Sequence, residues 1–158
     1  MPRLGKAGPI VVAMSDFNEA IQIMTGRFGR DTLISVATIE QGRPFVRTVD
    51  ALYQDGAFYV VTYALSSKIR QIAANPEVAV CGEWFSGHGI GENLGHVRAD
   101  GNAQIIPKLR DAFSAWYNDG DVDEDDPNTC ILRIRLTDGV LFNHGTRFDI
   151  DFTNSVAL

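Results

Sequence analysis

Residues Pro44 to Pro76 read PFVRTVDALYQDGAFYVVTYALSSKIRQIAANP, and this stretch decides the fold. From Phe45 to Tyr53 the residues alternate. Arg47, Val49 and Ala51 point one way; Val46, Thr48, Asp50 and Leu52 point the other. Asp55-Gly56 is a strong two-residue hairpin signal. Ala57 to Thr62 then supplies the second strand of the pair. Ser66 suits an N-cap, and a helix from Ser67 to Ala74 is stopped by Asn75-Pro76. The order is strand, tight turn, strand, helix start.

That helix start carries two hydroxyls and an ammonium in Ser66, Ser67 and Lys68. Free N–H groups and the helix dipole both favour an anion at such a place, and a phosphate is the natural candidate. Arg47, on the strand before, is positioned to add a forked contact to the same group.

Upstream, Asp16 and Glu19 are three apart, as in a capping box. Phe17, Ala20, Ile21 and Met24 follow at helical spacing, so a helix from about Ser15 to Thr25, closed by Gly26, is expected. Thr32 to Ile39 reads as a strand and Glu40 to Arg43 as a hairpin turn. Pro44 opens the next strand, where its missing N–H is tolerated.

Downstream, Val78 to Phe85 reads as a buried strand. Ser86 to Asn93 is rich in glycine but does not satisfy the dinucleotide spacing, and is expected to be a turn or flexible loop. Leu94 to Ile106 reads as two strands of a hairpin around Asp100-Gly101, which local turn chemistry favours, or as one strand bent at Gly101. Pro107 opens a helix with Leu109, Ala112, Phe113 and Trp116 on one face. Asp119 to Asp126 is an acidic loop without the glycine and glutamate of a calcium-binding EF-hand, so a solvated charge run is expected. Thr129 to Leu136, Val140 to Asn143 and Phe148 to Phe152 read as strands, with breaks at Asp138-Gly139 and Gly145.

At 158 residues the chain is expected to form one domain, spanning residues 1–158. Its formal net charge of −6 argues against a nucleic-acid partner, which demands a basic surface. No apolar run reaches the roughly 20 residues of a membrane span. Ile10 to Met14 is too short for a signal core after the basic start, so a cytoplasmic protein is expected. Cys81 and Cys130, far apart and in apolar surroundings, are expected to be buried reduced thiols. His88, Glu92 and His96 are spaced by four, but the glycines between them argue against a helix, and no metal site is expected.

The series Arg47-Thr48-Val49, Val61-Thr62, Ser66-Ser67-Lys68, Asn75-Pro76 and His96 to Gly101 resembles the pyridoxamine 5′-phosphate oxidase-like family, the FMN-binding split β-barrels. The likeness covers roughly Leu33 to Ile106. The leading helix and the Asp138-Gly-Val-Leu-Phe142 ending look more like its general-stress-protein branch. The resemblance implies a mainly β split barrel with peripheral helices, dimerised with the flavin in a groove between two subunits. It also implies that Leu94 to Ile106 is one strand bent at Gly101, and that reading is adopted over the hairpin. It implies FMN as cofactor and an oxidoreductase whose flavin transfers hydride or electrons. Arg47, Ser66, Ser67 and Lys68 would hold the phosphate. Val49, Val61 and Thr62 would line the ring through their backbones, with Thr48 in the same strand motif. His96 falls where the family often has a glutamine near the ring, and Leu52 where the oxidases proper usually carry a lysine. Their substrate-binding arginines and histidine have no clear counterpart, Asn143 to Arg147 being the nearest segment, so the substrate stays open. The alternative is a non-catalytic protein of the same fold, since related barrels bind haem or the deazaflavin F420, or sequester flavin.

Overall fold

The computed structural model describes residues 9–158, with side chains from Asp16 onward; the basic start Met1 to Lys6 lies outside the described residues. Eight strands follow the first helix: β1 (Thr32–Glu40), β2 (Arg43–Gln54), β3 (Ala57–Tyr63), β4 (Glu77–Gly82), β5 (Phe85–His96), β6 (Thr129–Asn143), β7 (Thr146–Asp151) and β8 (Val156–Ala157). The helices are α1 (Pro9–Phe28), α2 (Ser67–Ala74) and α3 (Ile106–Ala112). Every pairing is antiparallel, in the order β3-β2-β1-β4-β5-β6-β7-β8, and β3 also pairs with β6. That extra pairing closes the first six strands into a barrel. The expected mainly β barrel with peripheral helices is therefore the fold.

Strand β6 makes the closure possible. Its first half, Thr129 to Arg135, pairs with β3; its second half, Asp138 to Asn143, pairs with β7. Its other edge runs along β5 throughout, with a register shift between His88 and Gly89. Asp138-Gly139 therefore lies within a 15-residue strand and does not break it. The irregularity is absorbed as a bulge, which bends the strand where one partner is exchanged for another.

Tight turns sit where the dipeptides put them. Gln41-Gly42, Asp55-Gly56 and His144-Gly145 all have positive φ at both positions, as a type I′ hairpin requires. Trp84, also at positive φ, turns β4 into β5. The glycine-rich segment that follows is consequently a strand and not a loop. Gly87, Gly89 and Gly91 alternate with outward residues and face the barrel interior. A Cβ on Gly89 would stand 2.8 Å from the Arg135 carbonyl oxygen, and one on Gly91 would stand 2.9 Å from Ile72 Cγ2. The glycines are there because the neighbouring strand and helix approach too closely for a side chain.

Two more expectations are corrected. Helix α1 begins at Pro9, a residue well suited to a first helical position, so Asp16 and Glu19 are interior to it and form no cap. It also runs through Gly26 to Phe28. After His96 the chain leaves the sheet. It forms a short 3-10 turn, Asp100–Asn102, and then α3, so there is neither a bent strand nor a hairpin. Buried Asn102 fixes that turn by donating from its amide to the carbonyls of Leu94 (3.1 Å) and His96 (2.8 Å).

The core is double. Inside the barrel, Ala20, Met24 and Phe28 of α1 pack with Ile34, Phe58, Phe85, Leu132 and Ile134, and Ile69 and Ile72 of α2 join them. Phe28 meets Phe58 and Phe85 at edge-to-face angles. A Cβ on Gly82 would touch Phe28, whereas one on Gly91 would touch Ile72, so α1 and α2 lie at opposite ends of the β4–β5 hairpin. On the outer face, Leu52, Val97 and Ile131 are covered by Leu109, Phe113 and Tyr117. Cys130 is buried, but Cys81 is exposed on the outer face of β4, which corrects the expectation of two buried thiols. Among the described residues no helix is long and apolar enough to cross a membrane.

Candidate functional site

Arg47 points inward from β2, opposite Val36 of β1. Its guanidinium donates to the Val36 carbonyl (3.3 Å), to Thr38 Oγ1 (2.7 Å) and to Gln71 Oε1 (2.8 Å). Lys68, in the first turn of α2, donates from Nζ to Thr62 Oγ1 at 2.8 Å. Burial, and then repulsion from Arg47, pull its pKa below the usual lysine value. Burial lowers that of Arg47 as well. Among the described residues neither cation pairs with a carboxylate. Two like charges held together at half-buried positions, without a counter-charge, destabilise each other.

Ser66 precedes α2 with the extended backbone of an N-cap, yet its side chain makes no capping bond. Its Oγ is buried and, among the described residues, has no hydrogen-bond partner. An orphaned buried hydroxyl is uncommon in a folded protein. The first N–H groups of α2 are also free of intrahelical partners, as at any helix start. Two uncompensated cations, an unpartnered hydroxyl and free N–H groups thus converge on one end of α2. Such a cradle fits an anion, and a phosphate ester in particular.

The structure brings Arg47, Thr62, Ser66 and Lys68 together. Ser67 is exposed in the same helical turn, and Val49 packs on the barrel core behind Arg47. Val61 faces the outer cluster under α3, and Thr48 lies exposed on the opposite face of β2 from Arg47. Beside the cradle, Val61 and Thr62 line a pocket of about 230 Å³, whose other wall is Gly120 to Asp123, Asp126 and Thr129. His96 is across from Cys130, which is itself across from Thr62. Its ring serves the acidic segment: Nε2 donates to the carbonyls of Glu124 (3.0 Å) and Asp126 (3.1 Å), and Nδ1 accepts from the Arg98 N–H (3.0 Å). Those contacts define the neutral Nε2–H tautomer.

The acidic segment is solvated at Asp119, Asp121, Asp123 and Asp125, as expected, and anchored at Glu124. Glu124 accepts from Arg110 Nε (2.9 Å), Arg110 NH2 (2.8 Å) and the Tyr117 hydroxyl (2.7 Å). The Arg110 bonds, with help from Tyr117 and Arg98, hold its carboxyl at a pKa of about 2. Arg98 also pairs with Asp125 at 2.6 Å. His88, Glu92 and His96 stand at every fourth residue of one extended strand, which separates neighbours by roughly 13 Å.

Sequence reasoning missed Thr38, Gln71 and Cys130. Gln71 follows Lys68 by three residues, the spacing that shares a helix face, and that was the available signal. Thr38 and Cys130 carried none, because their places depend on strand register. Cys130 lies near the Lys68 ammonium, and burial raises its thiol pKa.

Residues 25–141 match the family described as pyridoxamine 5′-phosphate oxidase. Curated protein sequences give no match. Several solved structures share the fold. A protein from Clostridium acetobutylicum related to general stress protein 26 superposes with a TM-score of 0.62 at 14% identity, covering 90% of this chain and 98% of that one. A FAD-binding protein from Mesorhizobium loti gives 0.60 at 19% identity, covering 75% and 90%. A heme binding protein from Mycobacterium smegmatis gives 0.60 at 14% identity, covering 94% and 61%. Likenesses at these identities show the split-barrel fold. The family match, which takes in most of the chain from the end of α1 to β6, shows that this protein belongs to the pyridoxamine 5′-phosphate oxidase family.

Proposed function

We propose that the protein is an FMN-binding flavoprotein that works as an oxidoreductase. The observation that carries this reading is the cradle at the start of α2. Arg47 and Lys68 face it without a carboxylate partner, and the buried Ser66 hydroxyl has nothing to bond to. A phosphate monoester supplies negative charge for the first two and acceptor oxygens for all three. Ser67 adds a hydroxyl at the rim. Val61 and Thr62 line the pocket next to the cradle, where a ring attached to that phosphate would lie; Val49 packs on the barrel core behind Arg47, Thr48 lies on the opposite face of β2, and the His96 ring holds the acidic segment. When bound, FMN supplies hydride or electron transfer; the chain supplies the anchor, the apolar wall and an acidic lip held at Glu124. No side chain is assigned a catalytic role.

The homodimer implied by the family belongs to the same proposal. Val46 is 70% exposed and borders an outer-face groove of about 330 Å³ with Ala37, Ala79 and Val140. A second copy of the chain would cover that apolar surface.

The test is to add FMN to the purified protein, desalt it and record the absorption spectrum. Flavin bands at about one per subunit support the reading. Loss of all flavin on desalting, with no binding seen by titration, overturns it and passes the question to haem and F420. With flavin retained, reduction by NAD(P)H and reoxidation by an acceptor favours the oxidoreductase; bound flavin that no donor reduces favours a carrier.

A further inference from the structure

Gln71 is 2% exposed, and a buried amide has to match its donors and acceptors. Its Oε1 accepts from Arg47 NH2 at 2.8 Å and from Thr38 Oγ1 at 2.5 Å. Its Nε2 donates to Glu40 Oε1 at 3.2 Å. The amide cannot be reversed. Turned over, its NH2 would face the guanidinium donors and its oxygen would face the carboxylate. Gln71 therefore stands between an anion and a cation and satisfies both without letting them meet. Glu40 is held on the far side by Arg70, whose Nε and NH2 each reach it at 3.2 Å.

The consequence bears on the cradle. A carboxylate paired with Arg47 would offset the charge that draws an anion to it and weaken that contact. Glu40 is the carboxylate one side chain away from it. We propose that Gln71 sets the charge of the cradle: it orients Arg47 and keeps Glu40 from neutralising it. Gln71 is a positioning residue, and its effect on a ligand rests on the phosphate reading above. The insulation itself needs no ligand.

The experiment compares wild type with Gln71→Met, Glu40→Gln and the double variant Gln71→Met/Glu40→Gln. Methionine keeps the length and burial of the side chain while removing its polar ends. FMN affinity in Gln71→Met is expected to fall about tenfold and to recover to within about threefold when Glu40 is also made neutral. Glu40→Gln alone is expected to change it by less than about twofold, and riboflavin, which lacks the phosphate, by as little in every variant. A packing role for Gln71 would not be rescued by a change at Glu40. The ligand-free arm is a double-mutant cycle of Glu40→Gln and Arg47→Met on melting temperature. With Gln71 present the two are expected to add. With methionine at 71 they are expected to couple by about 2–4 °C. Should wild type bind neither FMN nor inorganic phosphate, the cofactor reading falls, and the cycle alone decides the role of Gln71. Additivity in both backgrounds, or a Gln71→Met loss that Glu40→Gln does not restore, overturns the proposal.

Discussion

Arg47 and Lys68 face the start of α2 together, and burial, then repulsion from Arg47, pull the Lys68 ammonium below the usual lysine range. Such a pair is stable only at some cost to the fold, which a bound anion removes. Replacing Lys68 with methionine is expected to leave the melting temperature of the ligand-free protein unchanged or slightly raised. The same change is expected to weaken FMN binding by one to two orders of magnitude, the worth of a charge-assisted contact of about 1.5–3 kcal/mol. Arg47→Ala combined with Lys68→Ala should abolish retention on desalting. Full retention would remove the phosphate site from this end of α2.

Ser66 is expected to show a trade between stability and binding. Its hydroxyl is buried without a partner, so Ser66→Ala removes an unsatisfied group and should stabilise the ligand-free protein by up to about 1 kcal/mol. The FMN affinity should fall about tenfold in the same variant. Denaturant melts and flavin titrations on one preparation test both halves. A destabilised Ser66→Ala would mean that the hydroxyl is a working cap.

Asp50 gives a pH dependence of defined sign. Burial, then the neighbouring carboxyl of Asp31, push its pKa up to about 6. Asp31 accepts from the Trp116 indole N–H at 2.8 Å, and its other oxygen is buried without a partner among the described residues. A carboxyl with a raised pKa in the folded state contributes most below its unfolded value near 4. That contribution is lost as pH rises through 6. Asp50→Asn should therefore raise stability at pH 7.5 by about 1 kcal/mol, after allowance for its partial exposure, and leave it unchanged at pH 4. Thermal melts at the two pH values decide this. An equal effect at both would exclude a raised Asp50 pKa as its cause.

The interior glycines of β5 predict a sharp asymmetry along one strand. Gly89→Ala drives a methyl into the Arg135 carbonyl and should cost about 2–3 kcal/mol. Ser86→Ala, three residues earlier and facing out, should change stability by less than about 0.5 kcal/mol. Urea unfolding of the two variants is the measurement.

Val46 tests the dimer. A charge in the middle of an apolar contact is strongly unfavourable, so Val46→Asp should yield monomers in light scattering while leaving far-ultraviolet circular dichroism unchanged. A wild-type protein that is monomeric at high concentration would sink the homodimer.

Much of the β1–β3 region was legible because local chemistry there is strong. Asp55-Gly56 names its own turn, and the alternation of Arg47 and Val49 survives in the barrel. Helix α2 was readable to its ends, because Ser66 and Pro76 bracket it. β5 was not legible. Glycine has low strand propensity, and its suitability here depends on how closely Ile72 and Arg135 approach, a tertiary fact. The segment after His96 misled for a related reason: Asn102 turns the chain by bonding to the carbonyls of Leu94 and His96, an arrangement that neither the local hairpin signal nor the resemblance to a bent strand contained. In the site, the charged residues were visible from their order. Gln71 and Thr38 were not, since a neutral side chain gains its role only from what it separates.

Gly91 is a spacer between β5 and α2. Nothing but a hydrogen atom lies between its backbone and the side chain of Ile72, one residue beyond Gln71 on α2. The distance of that helix from the barrel wall, and with it the reach of Lys68 toward Thr62, is therefore gauged by an atom that is missing. Alanine or valine at position 91 would act as shims of increasing thickness. They would tune the aperture of the anion cradle by small steps without altering any residue that lines it.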